Sequence, residues 1–429
     1  MARLQIRRVL SILAALGLVV AGTVTAAQHP ARAASPVTLK YWAGPDRTGT
    51  AAQLIANFNK MENGKIKVVW ELQAAATDVY FKNLQRALQA GSKTPDLFSG
   101  DVIWPAQLAG ANLVLPVDKY FPKSDQSKYI AGTIQDVYYK GHIYGAPWFT
   151  DFGLIFYRKD LLSKYHMAVP TTWQQMQQEA VTLVKKHAIK EGFVFQGDQY
   201  EGLVCDALEY IWGAGGQIYG PDAGKMTAQA AHGLQVMRSM ITSGATPKAV
   251  TTYKEADAQA DFDNGLAAFT RGWPEQWSLA QNLGAAKTSK VAGKVGVMNM
   301  LHDPGHMGVS TLGGWWLGIN KNSAHPNEAW QFIKYMISSD AQKFFAMHGG
   351  HAVALKSAND DRSVVKVNSW LPFVTKHLRI LPRPTSPVYN DISLQMQKDF
   401  HGVLDGSMSP QAAVKDVEAF IQTAEARFH

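Results

Sequence analysis

Val37-Thr-Leu-Lys-Tyr-Trp42, Ala52-Gln-Leu-Ile-Ala-Asn-Phe-Asn-Lys-Met61 and Ile66-Lys-Val-Val-Trp-Glu-Leu72 follow one another with short connections. The first and third alternate apolar with polar positions, the signature of half-buried strands. The second places Leu54, Ile55, Phe58 and Met61 on one helical face. Strand, helix and strand in this order predict a βαβ unit and a parallel sheet. The alternation then repeats. Tyr80, Phe81, Leu84 and Leu88 give a second amphipathic helix, and Thr94-Pro95-Asp96 leads into the apolar run Leu97-Phe98.

The middle of the chain is richer in helix. One helix starts after Pro170-Thr171-Thr172, where Thr172 and Gln175 stand at capping-box spacing and Trp173, Met176, Ala180 and Val184 share a face. Short strands are expected at 266–270 and 295–299, between Gly-rich turns. Later, 315–320 reads as a strand, Pro326 opens a helix with Ala329, Phe332, Ile333 and Met336 on one side, and Ser409-Pro410 opens the last helix. No repeat and no low-complexity linker divides the chain. Two interlaced α/β lobes fit this pattern better than separate beads.

The chain has 429 residues, room for two cores at roughly 150 residues per domain, and its 46% hydrophobic and 18% charged residues are those of a globular protein. Its formal charge is +8, but Arg3, Arg7, Arg8 and Arg32 precede residue 35 without any acid, which leaves +4 for the rest. No dense Lys/Arg run follows, so a nucleic-acid partner is not expected. Twelve Trp residues beside 15 Tyr and 18 Phe suit a cleft walled by flat apolar faces.

Residues 1–34 combine early arginines, an apolar stretch from Val9 to Val20 and small-residue sites ending at Ala27 and Ala33. This is the pattern of a secretory signal peptide, with cleavage after one or the other, and it predicts an exported protein on the periplasmic or outer side of the membrane. The lone Cys205 has no partner for an intramolecular disulfide and sits in an apolar helical context, so it reads as a buried structural thiol.

Several chemistries lack their motifs. There is no phosphate-cradling GxxxxGK[ST] loop, no GxGxxG and no GxSxG elbow, so neither a nucleotide cofactor nor a serine nucleophile is expected. His302 and His306 are separated by Asp-Pro-Gly, and His348 and His351 flank Gly-Gly; both pairs read as solvated loop histidines, with no metal site. Carboxylates do lie near aromatics at Asp101 with Trp104, at Asp151, and at Trp273-Pro274-Glu275. Such residues serve a glycosidase acid pair, and equally a site that only grips a sugar.

Four stretches carry a resemblance: 95–104 (PDLFSGDVIW), 154–161 (LIFYRKDL), 195–205 (FQGDQYEGLVC) and 311–320 (TLGGWWLGIN). Together with Leu381-Pro-Arg-Pro384 and the Ser409-Pro410-Gln411 helix start, they resemble the extracellular solute-binding proteins of sugar ABC importers, nearest the trehalose/maltose-binding branch. The resemblance runs through nearly the whole chain after residue 34. It implies an α/β, two-lobe periplasmic-binding-protein-like fold of type II, whose lobes are joined by hinge strands and close on a ligand. The expected lobes are 35–148 with 308–350, and 149–307 with 351–429.

The resemblance also implies a ligand shell. Asp101 and Asp151 match the family's hydroxyl-binding acids, Trp273 its loop aromatic, Gly313, Gly314 and Trp315 its Gly-Gly-Trp segment, and Arg383 its late guanidinium. Trp104 and Phe149 complete the aromatic set. Each has a plainer alternative: Asp101 as a cap near Ile103, Arg383 in a surface ion pair, and one of Trp315 and Trp316 in the core, since neighbours in a strand face opposite ways. For the segment from Gln196 to Glu201, lobe packing and ligand contact both remain open. Two departures bear on the ligand: the first loop offers Asp46 with Arg47 beside it, and Glu275 stands where the branch commonly has Tyr. The implied function is capture of a disaccharide or short oligosaccharide by a monomer that docks on permease subunits, without cofactor or catalysis. The alternatives are a secreted glycosidase, or the same fold binding a non-sugar such as a polyol phosphate.

Overall fold

The computed structural model describes residues 36–426, so the expected signal peptide lies outside the described residues. The opening motif folds as its periodicity requires: β1 (Val37–Ala43), α1 (Thr50–Glu62), β2 (Ile66–Leu72), α2 (Thr77–Gln89) and β3 (Leu97–Asp101). β1 pairs in parallel with β2 on one side and β3 on the other. The helix faces read from sequence turn inward at Leu54, Ile55 and Phe58 in α1 and at Tyr80, Phe81, Leu84 and Leu88 in α2. Met61, expected on the α1 face, is instead exposed in the last turn, beyond the sheet that covers the rest.

The chain then runs through β4 (Gly145–Phe152) and, after Gly153 alone, into β5 (Leu154–Arg158). These two strands belong to different sheets. Gly153 is the crossing point, and a Cβ there would lie 1.8 Å from Glu209 Oε1, so only glycine passes. α3 (Trp173–Lys185) begins with the Thr172/Gln175 capping box and buries Trp173, Met176, Ala180 and Leu183; Val184 sits only part-way inside. β6 (Glu191–Val194), α4 (Glu201–Gly213), β7 (Ala267–Gly272), α5 (Glu275–Ala280) and β8 (Val295–Met298) build the second body. Its sheet has the order β8-β5-β7-β6.

β9 (Ser310–Ile319) returns to the first sheet, followed by α6 (Pro326–Met336), α7 (Ser339–Gly349), β10 (Ala352–Val353), β11 (Ile380–Leu381), α8 (Tyr389–Asp405) and α9 (Pro410–Ala426). The first sheet has the order β10-β4-β9-β3-β1-β2, with β11 alongside β9. β9 begins five residues before the stretch read as a strand, because β4, β3 and β11 supply ladder partners along its whole length. Partner strands, rather than local propensity, set that boundary.

One core is drawn from 39–149 and 316–364; a second from 155–309 and 389–421. The chain therefore contributes twice to each body. The expected lobe boundary at 148/149 falls inside β4, and the one at 350/351 falls just before β10, which pairs with β4. Cys205 is buried in α4, and burial pushes its thiol well above the usual range.

Candidate functional site

A cavity of about 430 Å³ opens between the two sheets. Tyr41, Asp46, Ser99, Asp101, Phe149, Asp151 and Trp315 line it from the first body; Glu201, Lys254, Glu255, Trp273 and Glu275 line it from the second. Tyr41, Ser99 and Asp101 lie toward the carboxyl ends of the parallel strands β1 and β3, with Asp46 just beyond β1, where open α/β sheets present their ligands. Phe149 and Asp151 lie in the second half of β4, and Trp315 lies mid-way along β9, which runs antiparallel to β3 and β4.

Arg383 ties the two bodies together at the cavity wall. Its Nη2 donates to Asp101 Oδ1 at 2.6 Å, and its Nη1 donates to Asp101 Oδ2 at 3.3 Å and to Glu201 Oε1 at 2.8 Å. Asp101 ends β3, whereas Glu201 begins α4. Glu201 also accepts from the Tyr389 and Ser393 hydroxyls of α8. Burial raises the Glu201 carboxyl and the Arg383 charge opposes that rise. Arg383 is 3% exposed, so the surface ion pair considered from sequence is not what it makes. Its Nε remains buried without a partner. Asp101 additionally accepts from Ile103 N at 3.2 Å, which braces the turn after β3; it caps no helix, because the next one begins at Pro105 with Trp104 at its N-cap.

A second cluster joins Asp151 of β4, Glu275 at the start of α5, and His351 just ahead of β10. One donor atom from each lies within 4.8 Å of the others. His351 is 8% exposed, and its ring stacks on Phe345 with centroids 4.2 Å apart and planes 4° from parallel. This overturns the expectation of a solvated loop histidine: the helix ending at Gly349 swings residue 351 inward. Burial alone lowers the His351 pKa, but the Asp151 and Glu275 carboxylates raise it overall. Burial, with Asp151 adding to it, pushes the Glu275 carboxyl up to about 7.

Trp315 and Trp316 divide as strand geometry demands. Trp315 lines the cavity and stacks on Tyr80 at 6.4 Å; Trp316 is 1% exposed and donates from Nε1 to the Asp101 carbonyl. Trp104 does not line this cavity. It is buried behind Trp315 in an edge-to-face contact at 5.8 Å, so it supports that ring from the core. Trp273 lies over the Arg271 guanidinium, 3.9 Å from ring centroid to charge. Arg271 is in turn held by Glu209, Asp206 and Gln196. A Cβ on Gly313 would lie 3.1 Å from both Asp151 and the Trp273 ring, so its lack of a side chain lets these two wall groups approach the strand closely.

The structure thus gathers Asp46, Arg47, Asp101, Phe149, Asp151, Trp273, Glu275, Gly313, Gly314, Trp315 and Arg383 around one cavity. Asp46 is heavily committed already: its carboxylate accepts from Thr48 N and Ala51 N and so fixes the turn into α1. Arg47 reaches across to the Ala256 carbonyl at 3.4 Å. In the segment from Gln196 to Glu201, Gln196 packs the second body against Asp206 and Arg271, whereas Glu201 lines the cavity and meets Arg383. Sequence reasoning missed Tyr41, Trp148, Lys254, Glu255, Phe345 and His351, which reach the wall from strands, helices and loops far apart in the chain. Only His351, next to the left-handed Gly350, carried a local signal.

Residues 44–343 match the family of bacterial extracellular solute-binding proteins. The chain belongs to that family. This solute-binding protein is 32% identical over 362 residues to the "Probable ABC transporter-binding protein" of Deinococcus radiodurans, covering 80% of its own length and 83% of the relative's. In structure it is similar to maltose-bound MalE3 of T. maritima, with a TM-score of 0.84 and 31% identity, over 90% of this chain and 100% of that one. A tagatose-bound solute-binding protein of Thermotoga lettingae shares the fold at 24% identity and a TM-score of 0.79, over 90% and 99% of the two chains. The two-lobe periplasmic-binding-protein-like architecture is therefore that of the family. The protein is the solute-binding component of an ABC transporter, a class that works with permease subunits and carries out no reaction. The glycosidase alternative is set aside on that ground. Among the described residues no helix is long and apolar enough to cross a membrane.

Proposed function

We propose that the protein captures a disaccharide or short oligosaccharide of the trehalose/maltose kind in the cleft and delivers it to a membrane permease. One observation carries the reading: a cavity of about 430 Å³ walled by the Trp315, Trp273 and Phe149 rings and edged by carboxylates from both bodies. Aromatic faces cover the apolar C–H face of a sugar ring, and carboxylates accept its hydroxyl protons. Asp101, Asp151, Glu275 and Arg383 are the polar shell in this reading, with Gly313 and Gly314 letting Asp151, the Trp273 ring and the β4 backbone pack closely along this wall. The volume lies within the roughly 300–1,000 Å³ of small-molecule sites.

Binding across both bodies gives the ligand a higher affinity for the closed form, which is what drives closure. A polyol phosphate is poorly served, because Arg383 is already neutralised by Asp101 and Glu201 and most other charged wall groups are acidic. Maltose in the T. maritima neighbour supports a glucose disaccharide.

Isothermal titration and thermal-shift assays with trehalose, maltose and ribitol test the reading. A disaccharide should raise the melting temperature in proportion to log concentration above its Kd. Stabilisation by ribitol alone, or by no saccharide at millimolar concentration, would refute it.

A further inference from the structure

The cluster of Asp151, Glu275 and His351 is more specific than a neutral sugar requires. We propose that this corner receives a protonated amino group, so that the preferred ligand is a saccharide containing an amino sugar; this rests on the saccharide reading above. Asp151 Oδ1, Glu275 Oε2 and His351 Nδ1 are all buried and lack any protein partner. Asp151 and His351 are 7% and 8% exposed, and Glu275 is part-buried. The other Glu275 oxygen is already engaged, accepting from Gln259 Nε2 at 3.1 Å.

Asp151 Oδ1 and Glu275 Oε2 match two of the N–H donors of one ammonium group, and His351 Nδ1 matches the third once the bound cation displaces the ring proton that the two carboxylates otherwise favour. A single hydroxyl donates only one proton and leaves the others unsatisfied. The charges agree. Two carboxylates share this corner, and the arginines and lysine of the cavity wall are directed elsewhere: Arg383 to Asp101 and Glu201, Lys254 to Asp198, and Arg47 to the Ala256 carbonyl. A bound monocation relieves the repulsion that this pair otherwise carries.

The His351–Asp151 spacing is wider than tetrahedral zinc would set. Three atoms within 4.8 Å of one another, with His351 Nδ1 3.9 Å from Asp151 Oδ1, can all be reached by one nitrogen at about 2.8–3.0 Å. A tetrahedral zinc ion holds its ligand atoms only about 3.4 Å apart, given bonds of roughly 2.0–2.2 Å. Phe149 and Phe345 pack on His351, and the Trp273 ring stands beside Asp151 across Gly313, which gives the corner the aromatic surround that favours cations.

Calorimetry in EDTA tests the proposal with three matched pairs: trehalose and 2-amino-2-deoxytrehalose, maltose and 2-amino-2-deoxymaltose, cellobiose and the chitosan disaccharide. In at least one pair the amino form should bind about tenfold tighter or more, because charge-assisted hydrogen bonds exceed neutral ones by that margin. N-acetylation should cancel the gain, and Glu275→Gln should cut the ratio below about threefold. The acetylated ligand keeps the test independent of whether the variant folds. Neutral forms binding as tightly as amino forms in all three pairs would overturn this inference and leave the saccharide reading standing. An unchanged ratio in E275Q, or stabilisation by zinc alone with a preference that EDTA removes, would also overturn it. Binding of neither series would overturn both readings.

Discussion

Arg383→Met asks what holds the two bodies together. The guanidinium is 3% exposed and makes three hydrogen bonds, two to Asp101 of the first sheet and one to Glu201 of the second body. Methionine fills much of the volume and removes the charge, leaving two buried carboxylates without a counter-ion. Breaking one side of a buried ion pair costs about 3–5 kcal/mol. Unfolding entropy of roughly 2.1 cal/mol/K per residue gives about 0.8 kcal/mol/K for a body of this size. The melting temperature should therefore fall by about 4–6 °C at pH 7.5, measured by scanning calorimetry without ligand.

The sign of its pH dependence is fixed by Glu201. Burial already raises this carboxyl and Arg383 holds it down, so the variant's Glu201 rises further. A raised folded-state carboxyl is stabilising where it is protonated and loses that contribution as pH climbs through its folded pKa. The deficit of R383M against the wild type should shrink at pH 5, and adding Glu201→Gln should recover part of it at pH 7.5. A fall of less than about 1 °C, or a deficit that widens at pH 5, would show that the guanidinium is not the link described here.

The adjacent tryptophans should separate cleanly: Trp316→Ala should cost about 3–5 kcal/mol in urea unfolding, whereas Trp315→Ala should weaken saccharide binding by about 1–3 kcal/mol with a smaller stability loss. Equal effects of the two on stability would contradict their opposite facing. Asp263, held by Gln276 Nε2 at 2.8 Å, is pushed up to about 7 by burial. Its contribution to stability is complete below about pH 4 and disappears as pH rises toward 7, at up to about 1.4 kcal/mol per pH unit. Asp263→Asn should flatten the wild-type decline between pH 5 and 7 in urea titrations, and an unaltered slope would refute the assignment.

Much of the fold was legible because local period and burial agree. β1, α1, β2 and α2 lie where alternation and helical spacing put them, and the Thr172/Gln175 box begins α3 as its spacing predicts. The site was legible only as a set of residue types attached to recognisable segments. Trp104 shares the segment of Asp101, yet the turn after β3 sends its ring behind Trp315. His351 sits in a Gly-Gly-His loop that reads as solvated, yet α7 delivers it to the cavity floor.

Sequence by itself determined the strand-helix alternation, the inward helix faces and the opposite orientation of Trp315 and Trp316, since each follows from a period of 2 or 3.6 along one segment. Tertiary structure alone decided that Arg383 bridges Asp101 and Glu201, and that Asp151, Glu275 and His351 share one corner. Those groups come from segments up to 282 residues apart, and their distances depend on how two sheets cross at Gly153 and return at β9. Charge neutralisation and desolvation act over a few ångströms of space, which no spacing along the chain encodes.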